Sequence, residues 1–459
     1  MWRNTLSGWN EALPGPYCRA AGDAVHGLVG GRTMSRNFFV VLPVAEVIRR
    51  LAAFAPLPSE TASLTDPRGL EGRVLAADVI ARDDVPLTSR SGMDGYAVQA
   101  ADVFGASEGN PVYLALTGRI AVDRPADFSL EPGQCAAIVT GGTLPDGADA
   151  VVMVEHSAEL ADGQNGETLV EIRRPVAPGT HVLRRGDDAR EGRPALRSGV
   201  PLRPQEIGLL AACGARSVSV RARPRVGILS TGDEVIPVSA DPRPGQVRDV
   251  NSHALAAICR EAGAEPRLPG IVPDDLEAIA AALREHLADV DMLLLSGGSS
   301  VGARDFTVAA LERLPDAEIF CRGVALSPGK PLILARVGQK CVWGLPGQVA
   351  SAQVVMFVLG APFLRHLAGR ARAFDQSLWP ARRAVLSRNM ASKQGREDYL
   401  RVRLEAPADP DSTGGLPLAV PVPGLSGLLR TLLDAQGLVR IDAALEGLEQ
   451  GSVVDVLLL

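Results

Sequence analysis

The sequence predicts a multidomain protein built on a central α/β sandwich, with a β-rich domain inserted ahead of it and a second β-rich domain at the C-terminus. Three observations carry that expectation. A chain of 459 residues exceeds the size at which one hydrophobic core stops growing. Between 224 and 369, short apolar runs alternate with helical patterns, as parallel strands joined by crossover helices require. Between 86 and 175, and again after 379, short alternating segments are separated by Gly, Asp and Pro turns.

Taken in order, residues 1–33 are rich in Gly and polar side chains without periodicity, so a disordered extension is expected there and order near Met34. Val44, Val47, Ile48, Leu51 and Phe54 recur at helical spacing and predict a helix over 44–54, followed by a strand at 74–80. Strands are predicted at 112–116, 136–139, 150–154 and 168–172. The mixed pattern of 182–220, with a helix at 204–213, resembles that of the first segment. We therefore expect 34–85 plus 176–222 to form one N-terminal linker domain, with 86–175 inserted into it. In the α/β domain, 223–372, strands at 226–229, 269–272, 292–295 and 333–335 alternate with helices at 252–262, 275–287, 306–314 and 350–367. The last domain, 378–459, has strand patterns at 400–404, 418–422 and 453–458 and one helix-like piece at 427–433. No repeat at a solenoid period is present.

Composition narrows the function classes. An apolar share of 46% with 22% charged residues is that of an ordinary globular protein. The net charge of -6 comes from interspersed charges without a Lys/Arg block, which excludes a nucleic-acid tracking surface. The six cysteines are scattered singly, so reduced thiols are expected rather than a zinc site or a disulfide framework. The first residues lack an apolar signal core, and the apolar stretch 350–364, which carries Ser351 and Gln353, is short for a membrane span. The expected location is cytoplasmic, with no membrane partner.

Ligands of open α/β sheets bind at the carboxyl ends of the strands. Three loops there are unusual: Ser230-Thr231-Gly232-Asp233-Glu234, Ser296-Gly297-Gly298-Ser299-Ser300-Val301-Gly302, and Gly344-Leu345-Pro346-Gly347. Glycines let a backbone approach a ligand closely, and Ser/Thr hydroxyls beside them donate to an anion. Glycine at a strand-to-helix turn also serves backbone geometry alone, but three such loops on one sheet edge favour a phosphate-bearing ligand. None fits a dinucleotide or Gly-Lys-Ser/Thr phosphate loop. Asp233, Glu234, Asp274, Asp275 and Asp305 accompany the loops. Singly, Asp274, Asp275 and Asp305 read equally as helix caps; together they suit a hard cation such as Mg²⁺ beside an anionic ligand. Pro328-Gly329-Lys330-Pro331 adds a point positive charge that is either solvated or on an oxyanion. In the insert, Ser91-Gly92-Met93-Asp94-Gly95-Tyr96-Ala97 reads as a short loop in which Asp94 suits a turn, and Arg184, Arg185, Asp187 and Asp188 form a charged turn.

Together, Met93-Asp94-Gly95-Tyr96-Ala97, the segment 140–155, Arg185-Gly186-Asp187-Asp188, the loops at 230–234 and 344–347, the segment 296–305, Asp274-Asp275, Pro328-Gly329-Lys330-Pro331, Arg396-Glu397-Asp398-Tyr399-Leu400-Arg401 and Gly424-Leu425-Ser426-Gly427 resemble the molybdopterin molybdenumtransferase family, of the MoeA and gephyrin E-domain type. The resemblance spans about 34–459. It implies a central MoaB/MogA-like α/β molybdopterin-binding domain in an elongated homodimer. It also implies insertion of molybdate into adenylylated molybdopterin, with Mg²⁺ assistance and release of AMP, and contact with a molybdopterin adenylyltransferase and acceptor molybdoenzymes. Carried over by position, Asp94, Asp188, Glu234, Asp274 and Asp305 are implied catalytic acids, with Glu234, Asp274 and Asp305 around Mg²⁺. Thr231, Gly232, Ser296, Gly297, Gly298, Ser299, Ser300, Gly302, Pro328, Gly329, Lys330, Gly344, Pro346 and Gly347 are implied to hold the pterin substrate, and Lys330, Arg401 and Ser426 the molybdate.

Two positions depart from that pattern. The family has Lys-Pro-Gly-Lys-Pro where this chain has Ser327 in the first place, which removes one positive charge. Asn-Pro is replaced by Gln348-Val349, which alters a side-chain amide and a rigid helix start. Arg322 lies near enough in sequence to replace the lost charge. A second reading is therefore a non-catalytic molybdopterin carrier or scaffold. The preceding adenylyl-transfer step uses the same α/β domain type but needs neither β-rich domain.

Overall fold

In the computed structural model, which describes residues 41–66, 69–160, 168–297 and 301–459 (backbone alone for 301–305 and 412), the first apolar face forms the helix Val44–Leu51. Val44, Val47 and Leu51 are buried on one side, while Glu46 accepts from Arg49 and Arg50 on the other. The chain then turns through Phe54, whose ring meets Phe363 edge-on at 5.3 Å, and Phe363 in turn packs 5.8 Å from Trp343. Each such side chain contributes roughly 1.5–3 kcal/mol on burial, so this helix is fastened to the core of the α/β sheet.

That sheet has six strands in the order Glu265–Val272, Arg225–Thr231, Met292–Gly297, Lys340–Leu345, Ile333–Val337, Ala317–Arg322. The first four are parallel, with helices Asn251–Glu261 and Leu276–Leu287 making the crossovers. Alternate residues face two cores: Val226, Ile228, Met292 and Leu294 one, Leu229, Leu293 and Leu295 the other. Burial on both faces explains why these strands read as continuous apolar runs. The expectation that 333–335 is a parallel strand is corrected. Ile333–Val337 runs antiparallel to both neighbours, because only Gly338 and Gln339 separate it from Lys340, far too few residues for a crossover.

The helix predicted at 350–367 continues through a π-helical turn, Met356–Gly360, to span Val349–Leu367. At 19 residues it is longer than the stretch singled out from sequence, and by length and composition it could cross a membrane. Its apolarity has another use, since most of it is buried against Trp343, Leu345 and Phe54 in the main core.

A second six-stranded sheet occupies the insert, in the order Ala150–Met153, Gly95–Val98, Gln134–Ile138, Val112–Arg119, Leu169–Ile172, Ser157–Leu160. The segment around Asp94 expected as a loop is corrected: Gly95–Val98 is a fully buried central strand. The Val152 carbonyl oxygen passes 1.9 Å from where a Cβ on Gly95 would lie, so only glycine allows this pairing. Below the insert, Ser59–Ser63 pairs with Ser217–Arg221 and Val79–Ile80 with Pro194–Leu196.

In the C-terminal region Glu397–Glu405, Leu418–Pro421, Ala381–Leu386, Val453–Leu458 and Gly437–Ile441 pair in turn, and the last returns to Glu397–Glu405 to close a barrel. Ala381–Leu386 and Gly437–Ile441 were not expected. One piece of the α/β region, Leu326–Ser327, adds to this barrel in parallel with Glu397 and Asp398. That pairing brings the Ser327 to Pro331 loop against the C-terminal domain. Five cysteines, Cys135, Cys213, Cys259, Cys321 and Cys341, are free and buried; Cys18 and the extension 1–33 lie outside the described residues.

Candidate functional site

The parallel register sets three predicted loops at one level. Ser230 is opposite Ser296, Thr231 opposite Gly297, and Ser296 opposite Leu345. Gly297 is required by a close approach: a Cβ there would sit 1.9 Å from the Thr231 carbonyl oxygen. Around these ends lies a cleft of about 350 Å³ lined by Ser230, Thr231, Glu234, Asn251, Ser296, Gly297, Gly347 and Gln348 among others. Ser230 and Ser296 are 1% and 2% exposed, and among the described residues their Oγ atoms have no hydrogen-bond partner. Asn251 donates from Nδ2 to the Gly347 carbonyl at 2.9 Å and leaves Oδ1 unpartnered. Buried polar atoms without partners are rare in native proteins, and three around one cleft point to a polar ligand. Gly298, Ser299 and Ser300 lie outside the described residues, as does the side chain of Asp305; the backbone of Gly302 and Asp305 belongs to helix Val301–Glu312.

The structure separates the two neighbouring acids that sequence left equivalent. Asp275 is the cap of helix Leu276–Leu287, accepting from the Ala278 backbone N–H at 2.9 Å. Asp274 is not a cap. Its Oδ1 is buried without a partner, and burial together with Glu234 and Asp233 pushes its pKa up. Among the described residues no three Asp, Glu, His or Cys side chains form a ligating group. Two carboxylates are nevertheless what Mg²⁺ commonly takes from a protein when phosphate oxygens and water complete its shell. An orphaned buried carboxylate oxygen repelled by two neighbouring acids fits such an ion.

A larger cleft of about 650 Å³ adjoins through the shared residues Gly347 and Gln348, lined by Ser327, Pro328, Gly329, Lys330, Pro346, Lys393, Arg396 and Ser426 among others. Gly329, with φ +131°, leaves no room for a Cβ, which would lie 2.5 Å from Val355 Cγ2. Across Ser327, Pro328 and Ser426 this cleft adjoins a hollow of about 260 Å³ that includes Arg388 and Arg401. The Arg401 guanidinium donates to Thr431 Oγ1 at 2.6 Å and to the Gly424 carbonyl at 2.9 Å, which orients it beside the Ser426 loop. Burial lowers its pKa, yet a guanidinium stays protonated. The Ser426 carbonyl accepts from Ala350 N at 3.0 Å and ties that loop to the core helix.

Arg322 does not replace the lysine missing at Ser327. It pairs with Glu312 at 2.6 Å and lines none of the three clefts. Lys393 and Arg388 supply positive charge there instead, while Arg396 is paired with Asp398 at 3.1 Å; Lys393 and Arg388 carried no local signal, since the pairing of Leu326–Ser327 with Glu397 and Asp398 brings the loop to them. Gln348 precedes helix Val349–Val355 without a side-chain cap, so the amide an asparagine would offer is not reproduced. Gly232 lies at the strand end where its Cβ would meet the Glu234 carboxylate at 2.8 Å, and Gly344 is enclosed between Ile333 and Thr307. Asp94 and Asp188 line none of the clefts. Asp94 is exposed and accepts from Thr140 N and Oγ1 at 2.6 and 2.8 Å, which hold its pKa down, and Asp188 is exposed with its backbone N–H on Val85 O.

Three family models match in order: the MoeA N-terminal region (domain I and II) over 42–214, "Probable molybdopterin binding domain" over 227–366, and the MoeA C-terminal region (domain IV) over 383–459. The chain belongs to the MoeA family. A molybdopterin molybdenumtransferase of Bacillus subtilis is 32% identical over 421 residues, 91% of this chain and 94% of that protein. Molybdopterin molybdenumtransferase 2 of Mycobacterium tuberculosis is 35% identical over 402 residues, 87% of this chain and 93% of its own length. A solved molybdopterin biosynthesis MoeA protein from Pyrococcus horikoshii superposes with a TM-score of 0.71 at 27% identity, over 91% of this chain and all of that one. The predicted α/β centre with β-rich insert and C-terminal region is thus the architecture of this MoeA-family chain.

Proposed function

We propose that the chain is a molybdopterin molybdenumtransferase of molybdenum cofactor biosynthesis, using adenylylated molybdopterin and molybdate and releasing AMP. The observation that carries this reading is the adjacency of the clefts. A pocket with orphan hydroxyls suited to a phosphorylated ligand shares Gly347 and Gln348 with a larger cleft, which in turn shares Ser327, Pro328 and Ser426 with a cationic hollow suited to an oxyanion.

Ser230, Thr231 and Ser296 donate to pterin phosphate oxygens, and Gly297 and Gly347 let the backbone approach it. Lys330, Lys393, Arg401 and Ser426 receive molybdate, with Arg401 held in direction by Thr431. There the dithiolene sulfurs bond to molybdenum while one molybdate oxygen takes two protons and leaves as water. Water also cleaves the phosphoanhydride, and AMP departs. Glu234 and Asp274, with Asp305, would hold Mg²⁺, which supplies charge neutralisation of the phosphates. In this reading a homodimer is the arrangement in which Asp94 and Asp188 reach a pterin site from a second copy. The adenylyltransferase delivers substrate and acceptor molybdoenzymes take product; the proposed divisions put Asp94 in 86–175 and Asp188 in 176–222, both outside the 223–372 domain of the pterin seat.

The test is turnover. Purified protein given adenylylated molybdopterin, molybdate and Mg²⁺ forms AMP and metallated cofactor. Ser327 in place of lysine supports one other reading, a carrier, for which the pterin is held tightly, no AMP forms, and Ser327→Lys confers turnover.

A further inference from the structure

A separate hollow of about 130 Å³ shares no lining residue with the three clefts. It lies where strand Ser217–Arg221 meets the C-terminal ends of helices Asn251–Glu261 and Ala361–Leu367. Its lining includes Arg73, Arg221, Arg223, Arg365 and Arg370, with Glu261 the only carboxylate. In a chain of net charge -6, such convergence is unlike the interspersed charge elsewhere.

Arg73 is the centre of the arrangement. It is 4% exposed, and its Nη2 donates to Glu60 at 2.6 Å and to the Arg221 carbonyl at 2.7 Å, while its Nη1 is buried without a partner. Arg221 donates to the Leu57 carbonyl at 3.1 Å. Among the described residues the side chains of Arg365 and Arg370 make no hydrogen bond. Burial, then the neighbouring Arg370, disfavours the charge on Arg365, which Glu261 only partly offsets.

Arginines also gather at helix C-termini because the last carbonyls attract them. That attraction is too small here. Setting Arg223 aside, four guanidinium charges face two carboxylates, Glu60 and Glu261, and about half a negative charge at each of the two helix ends. A net positive charge of about one remains around a small hollow with a buried, unsatisfied donor. Planar guanidinium groups with free N–H donors match one ligand class, a compact anion with several acceptor oxygens.

We propose that this hollow is a binding site for a small tetrahedral oxyanion of the phosphate type, distinct from the molybdate seat at Arg401 and Ser426. The anion accepts from Arg73 Nη1, Arg365 and Arg370 and fastens strand Ser217–Arg221 to the ends of the two helices. Free phosphate and the terminal group of a phosphate monoester share this chemistry.

The experiment uses the full chain carrying Ser230→Ala, Ser296→Ala, Lys330→Ala and Arg401→Ala, so that anion binding in the larger clefts is weakened. Calorimetric titration with inorganic phosphate, and separately with glycerol phosphate, is compared with the same chain carrying Arg370→Ala or Arg365→Gln. Saturable phosphate binding that weakens about tenfold or more in each variant is expected, since a hydrogen bond to a charged group is worth about 1.5–3 kcal/mol. Glycerol phosphate binding equally well marks a monoester site; binding of phosphate alone marks a free-ion site. Crystals soaked with tungstate should show anomalous density beside Arg73. Arg370 is exposed, so its variant folds even where Arg365→Gln does not. Phosphate binding unchanged in Arg370→Ala, or tungstate density confined to the Arg401 hollow of the unsubstituted chain, overturns the proposal.

Discussion

Ser230 and Ser296 are direct partners in register on adjacent parallel strands, both almost fully buried, and among the described residues neither hydroxyl has a hydrogen-bond partner. Strand ends of this kind are made stable by apolar packing, so two unsatisfied hydroxyls side by side serve a ligand rather than the fold. Ser230→Ala and Ser296→Ala should each weaken pterin binding roughly tenfold. Thermal stability should stay level or rise by up to about 1 kcal/mol, because an orphan polar group is removed. Paired titration and melting curves check this; a loss of stability without a loss of affinity goes against it.

Gly297 gives the opposite pattern. A Cβ at 1.9 Å from the Thr231 carbonyl forces the two strands apart, so Gly297→Ala should destabilise the α/β region by about 3 kcal/mol or more. Chemical denaturation measures it, and a variant as stable as the parent contradicts the strand spacing.

Asp274 and Asp275 should respond differently to pH and Mg²⁺. The folded pKa of Asp274 is raised above its unfolded value, so its folded form holds a proton more tightly. Its contribution is harmless below the ordinary Asp range and becomes destabilising as pH rises through the raised value. Asp274→Asn should therefore be the more stable protein at pH 7.5, with the gain vanishing near pH 3. Mg²⁺ should raise the melting temperature of the parent at pH 7.5 and leave Asp274→Asn unmoved. Asp275→Ala should lose about 1 kcal/mol from its helix cap and keep the Mg²⁺ response. Equal Mg²⁺ shifts in parent and Asp274→Asn would exclude Asp274 as a ligand.

Ser327→Lys should tighten molybdate binding several-fold by restoring a charge to the 650 Å³ cleft, whereas Arg322→Ala should change nothing there, since Arg322 is engaged with Glu312. Competition with tungstate reads both variants on one scale.

Much of the fold was legible because apolar periodicity is local. The runs at 226–229 and 292–295 became buried parallel strands with the predicted helices between them. Strand direction is not local: nothing within Ile333–Val337 distinguishes antiparallel from parallel pairing, and only the two-residue link to Lys340 decides it. Gly95–Val98 was hidden because Asp94 and Gly95 are turn residues, while here glycine is demanded by the Val152 carbonyl. In the site, the glycine loops announced themselves. Ser230 as a partner of Ser296, Asn251 under Gly347, and Lys393 beside Ser327 depend on register and on the pairing of Leu326–Ser327 with the barrel, which no local spacing encodes. Arg322 shows the converse, a charge near in sequence whose direction takes it to Glu312.

The most direct measurement is AMP release from adenylylated molybdopterin as a function of molybdate concentration, in the parent chain and in Arg401→Ala. The parent should release AMP only when molybdate is present. Arg401→Ala should need at least about tenfold more molybdate for half the rate, with pterin affinity unchanged. AMP release that ignores molybdate, or identical molybdate curves for the two proteins, would contradict the joining of a pterin cleft to an oxyanion hollow at Arg401.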